Sequence, residues 1–274
     1  MTNANCPAHL RVRPTLTVIR RCWPMIALVA FAVGCGPTHL DLRQVMQAET
    51  DYRNQNYDAA HDKLDKFLRS YPNDKASAEA YCLRALCRVQ MSKKHLAEND
   101  ARQCVKLATD RDLRANAHAT LATLLYESGK TNEAIEHYEA ALETLPEKPP
   151  ADLLHYRYGL CLQRAGRWQD ARLEFASVYQ RYPSSELAAH AKRLYEWPHN
   201  AYSIQAGAFR DSGSASELNQ RLKRSALPSR VERTSRQGER LYNVYVGKYP
   251  QYDTAERMLG TVRRVVSDAF VVPK

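Results

Sequence analysis

Read for side-chain pattern, the chain changes period twice. From Pro24 to Val33 it is continuously apolar and uncharged. Between residues 41 and 198 small and apolar positions recur at helical spacing. After Trp197-Pro-His-Asn200 they alternate with period two, first in Tyr202-Ser-Ile-Gln-Ala-Gly-Ala-Phe209 and again in Tyr242-Asn-Val-Tyr-Val-Gly-Lys-Tyr249. Alternation of period two is the mark of a strand with one buried face, and a Gly near its end lets the backbone turn. The residue before a Pro is pushed out of the helical region, so Trp197-Pro198 reads as a boundary.

The C-terminal pattern predicts a strand over about 202–208 and a helix from about Ser214, whose hydroxyl can cap it, with Ala215, Leu218 and Leu222 inward. Strands follow at about 228–234 and 240–246, joined by a turn at Ser235-Arg-Gln-Gly238. A helix over about 254–265 and a closing strand at 269–272 complete the order βαββαβ. This is a small α+β domain at 199–274, a four-stranded antiparallel sheet with both helices on one face and the other face open. Parity places Tyr202, Ile204, Ala206, Tyr242, Val244 and Val246 against the helices. Ser203, Gln205, Gly207, Asn243, Tyr245 and Gly247 then point away.

The middle of the chain repeats every 37 residues. Ala60, Ala97, Ala134 and Ala171 stand at that interval, as do Ala48, Ala85, Ala122 and Gly159, and Pro72, Thr109, Pro146 and Pro183. Small residues on two successive amphipathic helices let their axes approach closely, and the periodic Pro ends the second helix. Residues 41–198 therefore read as an all-α helical-repeat solenoid of four units, with Ser185 to Trp197 as the capping helix.

Composition refines this division. Of 40 Lys and Arg against 30 Asp and Glu, residues 199–274 hold 13 and 7, a net of +6. The four Arg of residues 1–40 face no acid, which leaves 23 against 23 in between. A neutral scaffold carries a basic module. The basic, acid-free start and its short apolar run predict a secretory signal over residues 1–34, too short to span a bilayer. Cys82, Cys87, Cys104 and Cys161 fall at helix-interior positions and are expected as small core residues, although an exported chain permits disulfides and Cys82 with Cys104 is the pair to check. His118 and His155 occupy one repeat position, a shared packing slot rather than a metal site.

No His-Glu-x-x-His pair, Gly-x-Ser-x-Gly turn, phosphate loop or Cys/His nucleophile pair is present. Asp62 and Asp65 read as a solvated helix face. An enzyme is not expected, nor a cofactor or metal. A basic βαββαβ module invites comparison with RNA-recognition folds, but those present aromatics on the two central strands. Here Ser203, Gln205 and Asn243 accompany Tyr245 alone, and the chain is exported, so nucleic acid is not expected.

Ala32-Val-Gly-Cys35 resembles a bacterial lipobox, with Ala32 where Leu is usual. That resemblance implies lipidation of Cys35, a linker over 35–40 and a membrane anchor, and Gly36 favours the outer membrane. Leu121-Ala122, Gly129, Ala134, Tyr138, Ala141 and Pro146, and again Tyr158-Gly159, Gly166, Ala171, Phe175 and Pro183, resemble tetratricopeptide repeats. The second unit fits least, with Ala101 at the aromatic position and Thr109 for Pro. The 37-residue pitch, with Ser70-Tyr-Pro-Asn73 and Arg181-Tyr-Pro-Ser184, is similar to periplasmic lipoproteins of outer-membrane assembly and division coordination. The family implies a concave protein-binding surface, for which Tyr52, Arg53, Asn116, Tyr126, Glu127, Tyr156 and Arg164 are candidates, with an unidentified periplasmic protein as partner.

Gln205, Gly207, Phe209, Ala215, Leu218, Leu222, Tyr242, Val244, Val246, Gly247 and Ala255 resemble the sporulation-related repeat, or SPOR, domain across residues 200–274. Asn243 replaces a frequent Arg and Lys248 a frequent Pro. The resemblance implies binding to peptidoglycan glycan strands stripped of stem peptides, which accumulate at a division septum. The sheet face would carry it through Gln205, Ser203, Asn243, Tyr245 and Arg230. The alternative is an outer-membrane-assembly or division adaptor whose main activity lies in the repeats, the SPOR domain only localising it.

Overall fold

The computed structural model describes residues 36–146, 150–236 and 239–274. The expected leader and Cys35, the expected acylation site, lie outside the described residues, as do Gln237 and Gly238 of the expected turn. Two compact units meet in sequence at Ala108 and Thr109, within the repeats.

The first unit holds α1 (His39–Arg53), α2 (Tyr57–Ser70), α3 (Ser77–Gln90) and α4 (Lys94–Leu107). Thr38 starts α1 with a capping box, its side chain accepting from the Asp41 amide while the Asp41 carboxylate answers the Thr38 amide. The second unit begins with α5 (Arg111–Glu127), α6 (Thr131–Leu142), α7 (Ala151–Arg164), α8 (Trp168–Arg181) and α9 (Ala188–Tyr195). It continues with β1 (Tyr202–Phe209), α10 (Ser212–Arg224), β2 (Ser229–Arg236), β3 (Glu239–Tyr249), α11 (Tyr252–Arg263) and β4 (Phe270–Pro273). Asp211, not Ser214, caps α10, because its carboxylate accepts the Ser214 amide at 2.6 Å. Among the described residues no helix is long and apolar enough to cross a membrane.

The 37-residue pitch is built into the backbone. Between the two helices of each repeat one residue turns left-handed, at Gln55, Ser92, Gly129 and Gly166, with φ of 64°, 61°, 74° and 85°. The next amide reaches five residues back, to the carbonyls of Asp51, Arg88, Leu125 and Leu162, at 2.8–2.9 Å. That is the Schellman closure of a helix, which Gly adopts without strain and other residues do not. The small-residue series is buried throughout, and at Gly159 a Cβ would lie 2.7 Å from the Phe175 ring.

Within the same pitch the side chains differ. In the first unit Asp51 pairs with Lys63, and one repeat later Arg88 pairs with Asp100 at 2.7 Å, the charges exchanged. Arg84 adds two bonds to Asp100, at 2.8 and 2.9 Å, and one to Asp65. In the second unit Leu125 and Leu162 stand at the positions of Asp51 and Arg88. There His118 meets His137 at 2.9 Å and His155 meets Glu174 at 2.6 Å.

The cysteines divide. Cys82 and Cys104 form a disulfide between α3 and α4, with Cα atoms 5.4 Å apart, so these two are a crosslink and not merely small core residues. Cys87 and Cys161 are free and buried, and burial pushes both thiols up to about 12.

The sheet runs β2-β3-β1-β4, all neighbours antiparallel. Ile204, Ala206, Val244 and Val246 meet Ala215, Leu218 and Leu222 of α10 and Leu259 and Val262 of α11 in one apolar core. Two bulges break the ladder. Gln205 pairs with Tyr245 but Gly207 with Val244, so two residues of β1 face one of β3 and the alternation slips by one. Gly207 therefore points inward, where a Cβ would stand 3.1 Å from Leu218, and Phe209 packs on the core with Tyr242. The parity expectation for Gly207 fails for that reason. At Gly247 the second bulge requires φ of +66°, and a Cβ would overlap the Tyr249 ring.

Candidate functional site

The outward face of the sheet is assembled by cross-strand register. Arg230 of β2 lies opposite Tyr245 of β3, Tyr245 opposite Gln205 of β1, and Gln205 opposite Phe270 of β4. Paired residues in an antiparallel ladder share a face. Arg230, Tyr245, Gln205 and Phe270 thus form one row across all four strands, about 14 Å long at about 4.8 Å per strand. Ser203 opposite Val272, and Glu232 opposite Asn243, flank it on the same face.

This face is not bare. Ser203 is fully buried and donates to the Gly247 carbonyl at 2.8 Å. Asn243 is buried and donates to Thr234 Oγ1 at 2.8 Å. Tyr245 is buried beneath two cations, the Arg230 guanidinium 5.5 Å and the Lys274 ammonium 4.6 Å from its ring centre. Arg230 was expected to offer its charge to a ligand, yet all three of its nitrogens are engaged. Nε donates to Glu232 at 2.8 Å, Nη1 to the Gly247 carbonyl at 2.7 Å and Nη2 to Ser203 Oγ at 3.1 Å. Lys274 bonds the other Glu232 oxygen at 2.6 Å. Burial works to raise the Glu232 carboxyl, but the bonds from Lys274 and Arg230 outweigh it and hold it below its ordinary range. Burial and the Lys274 charge both lower nearby His199.

What stays both accessible and unengaged is Gln205, half-buried and with no side-chain hydrogen bond among the described residues, and beside it Phe270, 45% exposed. A primary amide that can donate and accept, next to an open aromatic ring, suits a ligand that is polar at its edges and apolar on its faces. Phe270, Glu232 and Lys274 were not singled out from the sequence. Phe270 carried a legible signal, an aromatic at an outward position of the closing strand. Glu232 and Lys274 become partners only through the register.

The residues expected to line a groove in the repeats separate. Tyr52 is 2% exposed, packs on Tyr57 with ring centres 5.4 Å apart, and has its phenol pushed up to about 12 by burial. Tyr156 is 6% exposed, with its hydroxyl 2.6 Å from His190 Nδ1. Both are packing residues, because an aromatic at these helix positions faces the neighbouring helix. Arg53 is exposed and pairs with Glu49. Glu127 is exposed, Asn116 is half-buried, and Tyr126 is half-buried under the Arg157 guanidinium at 5.9 Å.

Arg164 faces the sheet module instead of a groove. It pairs with Asp253 at 3.1 Å and lies 4.4 Å over the Tyr252 ring. Beside it Trp168 Nε1 donates to the Pro250 carbonyl at 3.0 Å and its ring stands 5.1 Å from that of Tyr202. The α7–α8 turn and the start of α11 thus dock the module on the last repeat. At Gly166 a Cβ would lie 3.0 Å from that same Pro250 carbonyl.

Residues 198–273 match the SPOR domain, and residues 119–186 match a tetratricopeptide repeat. No curated protein matches the chain. Among solved structures, the chain is similar to YrrB, a tetratricopeptide repeat protein with an unusual peptide-binding site. The two are 18% identical over 56% of this chain and 72% of that one, with a TM-score of 0.49. PilW, a widely conserved type IV pilus biogenesis factor, is 19% identical over 58% of this chain and 72% of its own, with a TM-score of 0.46. A tetratricopeptide repeat protein from Parabacteroides merdae is 14% identical over 68% of each chain, with a TM-score of 0.48. SPOR domains imply peptidoglycan binding and tetratricopeptide repeats imply protein interaction, and both families are binding domains.

Proposed function

We propose, from the SPOR domain at its C-terminus, that this chain is a non-enzymatic scaffold of the bacterial envelope. Its sheet holds peptidoglycan strands stripped of stem peptides, and its repeats recruit a protein partner in cell division or envelope maintenance. The observation that carries this reading is the unengaged Gln205 amide beside the exposed Phe270 ring. A sugar residue presents hydroxyl and acetamide groups at its edge and C–H groups on its face, which is what this pair can meet. Removing a stem peptide frees a lactyl carboxylate on each muramic acid, making the strand a polyanion suited to a module of net +6. It also removes the bulk that would keep the strand from lying on the sheet.

A leader over residues 1–34 and an acylated Cys35 would place the chain in the periplasm on the outer membrane, enriched where wall amidases expose such strands. The Cys82–Cys104 disulfide supports an oxidising compartment. The docking of the sheet module on the last repeat through Trp168 and Arg164 supports a wall-binding module held against that repeat. The test is co-sedimentation of the processed chain with purified sacculi, before and after amidase digestion, beside a chain lacking residues 199–274. The full chain should be retained more after digestion and the shortened one not at all. Retention of the shortened chain would move the activity to the repeats.

A further inference from the structure

The outward face is crossed by a chain of charges that serves no purpose in the core. Arg230 and Glu232 stand on β2 at one edge, Lys274 follows β4 at the other, and the Glu232 carboxylate joins them across Tyr245. Their side chains remain 25–37% exposed, so a ligand on the sheet reaches them. The two cations are not equivalent. Arg230 is fixed by the Gly247 carbonyl and Ser203 Oγ, whereas Lys274 is a flexible stem with a rotatable head.

We propose that Glu232 is a built-in substitute for the ligand's carboxylate, and that an anionic sugar strand binds by taking Lys274 from it, opening the strap over Tyr245. This inference rests on the wall-binding reading and names what that site selects, a polymer of sugars bearing free carboxylates over a neutral one of the same shape. Partly exposed ion pairs are weak, so exchanging one carboxylate for another is nearly balanced and the strap opens readily. A neutral strand brings nothing to replace Glu232. The strap stays closed, and such a strand meets only Gln205 and Phe270. Charge complementarity of this kind sets specificity more than raw affinity.

The experiment is binding of the full chain to peptide-free wall strands and to the same strands with their carboxylates amidated. Glu232→Gln should raise affinity for the carboxylated strands by about 3- to 10-fold and change that for the amidated ones less. Lys274→Gln should lower affinity for the carboxylated strands alone, and the double variant should lose the gain of Glu232→Gln. Lys274, at the end of the sheet, keeps the test open should Glu232→Gln destabilise the strand. If the native chain binds the carboxylated strands and neither substitution changes its preference, or if Glu232→Gln weakens binding, the strap is not a selector and this inference fails while the wall-binding reading stands. If the native chain binds neither strand, both fail.

Discussion

The inward and outward faces of the C-terminal sheet alternate along the same four strands, yet aliphatic side chains fill one and mutually bonded polar groups cover the other. Ile204, Val244 and Val246 are fully buried against α10 and α11, each contributing roughly 1.5–3 kcal/mol by leaving water. On the outward side Ser203, Asn243 and Tyr245 are also buried, but their partners lie within the face itself. The difference teaches that a polar face need not be an available one. Function falls to Gln205 and Phe270, which have no side-chain hydrogen bond among the described residues, and by our proposal to the Glu232–Lys274 pair.

The largest effect expected is on the inward face. Ile204→Ala should cost about 2–5 kcal/mol through lost burial and a residual cavity, read as a fall in the midpoint of thermal or denaturant unfolding. Next comes the bulge that joins the faces. Gly247→Ala would place a side chain at positive φ against the Tyr249 ring and should cost about 1–3 kcal/mol. Outward substitutions should separate binding from stability. Gln205→Ala and Phe270→Ala should each weaken binding to peptide-free strands by about 5- to 10-fold, near 1 kcal/mol, while unfolding shifts by less than about 0.5 kcal/mol. Losses of stability comparable to Ile204→Ala would erase the distinction between the faces.

The smallest effect concerns pH. The folded Glu232 carboxyl lies below its ordinary value of 4.5, so the folded state holds its proton less readily than the unfolded chain. Its stabilising contribution is present above 4.5 and is lost as pH falls through the lowered value. Because the pair is partly exposed the amount should stay below about 1 kcal/mol. A difference in unfolding midpoint between the native chain and Glu232→Gln should therefore be constant above pH 5 and vanish on acidification.

Much of this was legible because two periods were. The 37-residue pitch locates the paired repeat helices, and alternation locates the strands, since both reflect which positions must be buried. What escaped has physical causes. The bulge at Ala206 is invisible to parity, which assumes an unbroken ladder, so Gly207 turned inward and Phe209 joined the core. Tyr52 and Tyr156 resemble groove residues by position, but large aromatics on packed helices are drawn into the core. The first two repeats keep the left-handed turn with Gln55 and Ser92 in place of Gly, and put the paired charges Asp51 and Arg88 where the later repeats have Leu125 and Leu162. The tetratricopeptide match, confined to residues 119–186, lies wholly outside them. The Cys82–Cys104 bridge depends on the spacing of α3 and α4, and Lys274 finds Glu232 only across two intervening strands.

The central claim is that the outward sheet face recognises peptide-free wall strands through Gln205. Its most direct test is the equilibrium affinity of the full chain for purified strands with and without stem peptides, measured for the native sequence and for Gln205→Ala. The account predicts a preference of about 10-fold or more for the peptide-free strands that Gln205→Ala largely removes without unfolding the domain. Equal affinity for both strands, or a preference that survives Gln205→Ala undiminished, would contradict it.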